Sequence, residues 1–275
     1  MKQHGFSLVE LSIVLVILGL LTGGILGGQS LIRASELRAI PTEQGRYQAA
    51  AQTFRDKYFA IPGDFRDATR FWGRLNGNAD CVSNSGAAAG GSPGVCDGNG
   101  DGTLTGGPTV GGSGEPLQFW RQLALAGLIE GTYTGLAGSD NFSPNCFGQG
   151  IASDHVLGTN APRSKLGRAG WGVLVGGNGG GWFFNIDFSR SFVVGGQTPS
   201  CHPFGQTMKP EEAWNIDTKM DDGRPGTGSV STMFWNNLTT PGCSSTVANA
   251  NDYAAATYNL DVSIQACSLA FRNAF

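Results

Sequence analysis

An almost unbroken apolar run opens this chain and constrains everything that follows. From Phe6 to Leu26 it reads FSLVELSIVLVILGLLTGGIL, with a single ionisable side chain, Glu10. About twenty such residues, wound as a helix, cross a hydrocarbon core of about 30 Å. A secretory signal peptide is one reading. Its apolar part is about 7–15 residues and ends in a small-x-small cleavage site. Here the run is longer, and the conspicuous small residue, Gly5, precedes it. A plain signal anchor is the second reading, and Glu10 argues against it. A carboxylate inside lipid is expensive and marks a function whose partner has to be named.

Met1 to Gly5, then Phe6, Ser7, Leu8, Val9 and Glu10, then the apolar helix, resemble the type IV pilin and type II secretion pseudopilin superfamily. The resemblance implies that a membrane-embedded peptidase cuts after Gly5 and N-methylates Phe6, with Glu10 at the family's fifth mature position. It implies a structural subunit rather than an enzyme. The implied partners are other pilin or pseudopilin subunits, the prepilin peptidase and an inner-membrane assembly platform, with lipid around the helix before assembly. It places the leader in the cytoplasm, a single pass in the bacterial inner membrane, and the mature protein in a periplasmic or extracellular filament. The Phe6 ammonium of one subunit and the Glu10 carboxylate of its neighbour can neutralise each other, whereas an unpaired buried charge is strongly destabilising. Such a pair would set register. Both branches of the superfamily, and major or minor roles, stay open. The rival reading is a binding module on a pilin helix, such as a pilus-tip adhesin.

Within the run, Gly19, Gly23 and Gly27 share one helical face and Gly24 and Gly28 another. Small residues at that spacing let helix backbones approach; pilin-like helices also unwind at such points when they crowd. Beyond Gly28 the pattern becomes amphipathic. Leu37, Ile40, Tyr47, Ala51, Phe54, Tyr58 and Ile61 recur at helical spacing, with Arg38, Glu43, Arg46, Arg55 and Asp56 between them. This predicts one helix to about Ala60, on the order of 80 Å long, with a kink near Leu37 to Ile40 from Pro41. The organisation expected is a leader at 1–5, a long helix at 6–61 whose first part, 6–28, is the membrane and assembly segment, and an extracytoplasmic α+β domain at 62–275.

The remaining length is enough for one sizeable core. Net charge is −3 without a Lys/Arg run, so no nucleic-acid partner is expected. Cys81, Cys96, Cys146, Cys201, Cys243 and Cys267 behind an export segment read as three disulfides. Closing the nearest loops suggests 81–96, 146–201 and 243–267. His4, His155 and His202 do not cluster along the chain and no CxxC occurs, which argues against zinc. GxSxG, HExxH and phosphate-loop motifs are missing from the sequence.

The fold class expected is α+β: the long helix on a mostly antiparallel sheet with disulfide-stapled loops. GDFRDATRFWG suggests a short helix anchored by Phe65, Phe71 and Trp72. Glu115 to Glu130 reads as an apolar-faced helix stopped by Gly131, and Lys209 to Met220 as another with Pro and Glu at its start. WGVLV and WFFNIDF read as a hairpin, SFVV as a third strand, and GSVSTMFW and LDVSIQACSLAF as further strands, the last alternating through Val262, Ile264 and Ala266.

Two stretches carry metal-ligand chemistry. Asp97, Asn99 and Asp101, with Gly102 and Thr103, occupy positions one, three, five, six and seven of an EF-hand-type loop. Position twelve is Pro108 instead of a bidentate Glu, so calcium and an unliganded polar turn both stay open. Asp217, Asp221 and Asp222 form a second acidic group, similar to the C-terminal loops of pseudopilins, for which a helix end and turn is the competing reading.

Overall fold

The structure is a computed structural model of the 275-residue chain. It describes residues 8–75, 94–104, 114–136, 155–174, 184–198, 202–232, 242–245 and 251–275. Helix α1 runs unbroken from Leu8 to Tyr58, through Pro41. Pro41 removes one backbone donor, yet Ile40, Glu43 and Tyr47 are buried on either side of it and hold both flanks to the domain. The helix ends where Phe59 turns to a φ of 53° and donates its N–H to the Arg55 carbonyl. The expected stripe is buried at Ile40, Tyr47, Ala51 and Phe54. Glu43, expected on the solvent side, is buried with it.

Helix α2 (Ala68–Trp72), helix α3 (Glu115–Leu125) and helix α4 (Pro210–Met220) follow. Strands β1 (Ala169–Leu174), β2 (Ser191–Gly196), β3 (Val230–Thr232) and β4 (Leu269–Phe271) form an antiparallel sheet in the order β1-β2-β4-β3. The chain is thus α+β, with the long apolar helix packed on a small antiparallel sheet. Every residue of the four strands is buried, so the sheet is covered on both faces. Tyr47 of α1 meets Trp120 of α3 and Trp171 of β1 edge-on, at 5.0 and 5.5 Å between ring centroids. Phe192, Val194, Leu269 and Phe271 complete that core with Phe119 and Leu123. On β1 and β2, a Cβ at Gly172 or Gly195 would fall 2.6 or 2.3 Å from atoms of Pro203. Only glycine lets the segment around Pro203 lie this close to the strands.

Several expectations are corrected. Helix α3 stops five residues before Glu130. Gly127, at φ 72°, takes the left-handed position, with Gly127 N–H donating to Ala124 O and Leu128 N–H to Leu123 O. That is the Schellman termination, and the nearer glycine wins over Gly131. Gly127→Ala meets no steric neighbour, so it should lose only the conformational term. About 1 kcal/mol is expected, seen as a fall of roughly 2–4 °C in thermal melting.

The described part of WFFNIDF, Phe184 to Phe188, is not the second strand of the hairpin; β1 pairs instead with β2, which contains SFVV. Asp187 Oδ1 accepts from the N–H and hydroxyl of Ser189, and Arg190 sits at φ 54°, so this stretch turns before it can pair. The final strand is only Leu269–Phe271. Before it, the Val262 N–H turns back to Asn259 O, the Ala266 and Cys267 N–H groups go to Met208 O, and Ile264 is half exposed. Phe71, expected as an anchor, is exposed, while Phe65 is buried and Trp72 half-buried. Cys243 and Cys267 are joined as expected. Cys96 is also disulfide-bonded; the pairings expected of Cys81, Cys146 and Cys201 lie outside the described residues.

Candidate assembly site

The first half of α1 exposes its side chains all round. An 18-residue window has mean hydropathy 2.4 and no residue buried, and the helix is long and apolar enough to cross a membrane. Leu8, Leu20 and Leu26 are each more than 60% exposed. The polar groups inside this half are turned inward: Ser12, Thr22 and Ser30 hydroxyls donate to the carbonyls of Val9, Leu18 and Gly27. Such back-bonding satisfies hydroxyls without water, as an apolar medium requires. A Cβ at Gly19, Gly23, Gly24, Gly27 or Gly28 would touch nothing, so these faces are open to another helix. Glu10 lies in the first described turns of α1; Gly5 and Phe6 lie outside the described residues.

The second half is fastened to the domain by polar locks that helical periodicity did not single out. Arg33 donates Nε and Nη2 to the two Glu212 carboxylate oxygens at 2.7 and 2.6 Å, and Nη2 also to Thr207 O. Burial pushes the Glu212 carboxyl up, but the Arg33 fork and the Lys209 N–H together outweigh it and lower its pKa. Ten residues on, the buried Glu43 carboxylate accepts from Ser164 Oγ at 2.7 Å, Lys165 N–H at 2.9 Å and Trp171 Nε1 at 2.7 Å. The apolar half is therefore carried on a helix that the domain grips at two polar points and one aromatic one.

In the 97–103 loop the carboxylates serve local bonding. Both oxygens of Asp97 accept from Thr69, N–H at 2.7 Å and Oγ1 at 2.8 Å. Asn99 and Asp101 bond each other, and Asp101 Oδ1 takes the Thr103 N–H and hydroxyl, which lowers its pKa. Asp64, a residue sequence reasoning missed, accepts the Gly100 and Gly102 N–H groups. The loop is wrapped on Asp64, with Asp97 turned toward α2.

Asp217, Asp221 and Asp222 do converge: their carboxylate oxygens lie within 4.8 Å of one another. Asp217 is fully buried and accepts from Tyr258 Oη at 2.7 Å and Gly223 N–H. Asp221 accepts from Ser229 and Val230 N–H, and Asp222 from Arg224 N–H and Thr227 Oγ1. No Lys or Arg side chain pairs with the three among the described residues. Burial first, then Asp222 and Asp221, push the Asp217 carboxyl up to about 7, against the Tyr258 and Gly223 bonds. A carboxyl raised on folding stabilises the fold below its unfolded pKa, and that stability is lost as pH rises through the folded value. Without added divalent cation, thermal stability should fall between pH 4 and 7, and Asp217→Asn should flatten that slope. His155 and His202, far apart in sequence, have rings 4.8 Å apart in the interior, and burial drives His202 well below its ordinary pKa. Only the fold brings them together.

The chain is thus a long helix, half apolar and exposed, half fixed in a disulfide-bearing α+β domain. Residues 1–26 match the family model described as the prokaryotic N-terminal methylation motif, so the chain carries a prepilin-type N-terminus. No curated protein matches the chain, and no solved structure does.

Proposed function

We propose that this chain is a structural subunit of a pilus-like filament, of the type IV pilin or type II pseudopilin kind. It enters the inner membrane through α1, is cut after Gly5 and methylated at Phe6, and assembles by packing α1 against its neighbours. The observation that carries this reading is the continuity of α1. One uninterrupted helix joins the methylation motif and an unburied apolar half to a half gripped by Arg33, Glu43 and Tyr47. Phe6 and Glu10 supply the register charge pair between neighbours. Asp217, Asp221 and Asp222 are the proposed calcium site, in preference to the 97–103 loop, because their oxygens converge without a neutralising cation. The role is structural, the domain serving as the rigid outer part of the subunit.

One observation favours the binding-module reading as a second. Phe59, 93% exposed, and Tyr58, with Arg55, Arg66 and Arg190, line a cavity of about 840 Å³ at the end of α1, and Phe71 is exposed nearby. Exposed aromatics beside arginines suit a ligand surface. Immunogold labelling of native filaments separates the two. A structural subunit labels along the shaft; label confined to tips would favour the binding module.

A further inference from the structure

We infer that the domain carries a headgroup site for anionic phospholipid, placed where α1 leaves the membrane; this rests on the membrane-helix reading above. From Leu26, the last residue of the apolar run, to Arg33 is seven residues, about 10 Å of helix rise. A headgroup layer is about 5–8 Å deep on each side of the hydrocarbon, so Arg33 stands just beyond it, within an arginine side chain's length of the lipid phosphates. A cavity of about 690 Å³ opens there, lined by Arg33, Arg163 and Arg168 with the amides of Gln197, Gln206 and Gln265. Among the described residues no carboxylate lines it. Glu212 takes up the charge of Arg33. Arg163 and Arg168 are exposed, and neither has an ion-pair or side-chain hydrogen-bond partner among the described residues.

Two guanidinium forks without a partner among the described residues, around one cavity, match a phosphodiester, since arginine binds two phosphate oxygens bidentately. The level of Arg33, which lines the same cavity, selects the membrane's own phosphate as the source. Basic side chains at such a surface each contribute about fivefold in binding to anionic lipid, roughly thirtyfold for the pair. Before assembly, the site would hold the domain down on the bilayer in one orientation about α1.

The test uses the full chain in nanodiscs of mixed phosphatidylcholine and phosphatidylglycerol, with lipids retained on release counted by native mass spectrometry. Phosphatidylglycerol should be retained well above its share of the bilayer. Arg163→Gln with Arg168→Gln should reduce that preference by roughly thirtyfold without changing the melting temperature, and the paired lysine replacements, which keep the charge but lose the fork, should keep only part of it. Equal retention of the two lipids, or undiminished preference in the glutamine pair, would overturn the site. So would occupancy by millimolar inorganic phosphate on the detergent-solubilised chain as strong as that by the lipid. A chain that enters neither kind of disc would refute the membrane-helix reading itself, and the headgroup site with it.

Discussion

Glu43→Ala is expected to destabilise the protein by about 3–5 kcal/mol, the range for breaking a buried, hydrogen-bonded charge network. The variant removes the acceptor for the Trp171 indole, the Ser164 hydroxyl and the Lys165 amide together. Each orphaned buried donor costs about 1–3 kcal/mol, and the vacated space adds to this. In a domain of this size the loss corresponds to a fall of roughly 10 °C in melting temperature, measured on the full chain in neutral detergent. Glu43→Gln keeps one acceptor oxygen but turns an amide toward a donor, so it should fall between the two. An alanine variant within about 0.5 kcal/mol of the parent, the size of a plain surface substitution, would show that packing alone holds α1 to the sheet.

The second large effect is on assembly. Glu10→Ala should leave processing intact and deplete the subunit from sheared filaments by roughly a hundredfold or more. The Phe6 ammonium would then sit among apolar helices without its counter-charge. A penalty of about 3 kcal/mol or above for an unpaired buried ion converts to that factor in association. Glu10→Gln should behave like Glu10→Ala, since it keeps the shape and removes the charge. Immunoblots of membrane and filament fractions read both. Incorporation of either variant at the parental level would remove the charge pair from the account.

What was legible in the sequence was whatever depends on periodicity or on local chemistry. The apolar run, the stripe through Ile40, Tyr47 and Phe54, the start of α4 at Pro210 and the nearest-loop pairing of Cys243 with Cys267 all follow from spacing within one stretch. What escaped depends on partners distant in the chain. Glu43 is charged, and only the Ser164–Trp171 segment, more than 120 residues on, explains why it is buried. Asp97, Asn99 and Asp101 have ligand spacing, but that Asp64 and Thr69 also bond this loop could not be read from it, because both lie about 30 residues earlier. WFFNIDF has strand composition, and the Asp187–Ser189 turn overrides it. Apolar composition cannot tell a strand from a buried loop when neither the turn bonding nor the strand partner is local.

Processing at the N-terminus is the most direct test of the central claim. The intact mass of the protein from native membranes or sheared filaments, together with its terminal peptide, decides it. The account predicts loss of Met1 to Gly5 and a mature terminus at Phe6 carrying one methyl group. A retained Met1 in a host with an active prepilin peptidase would contradict it and leave α1 as an ordinary membrane anchor.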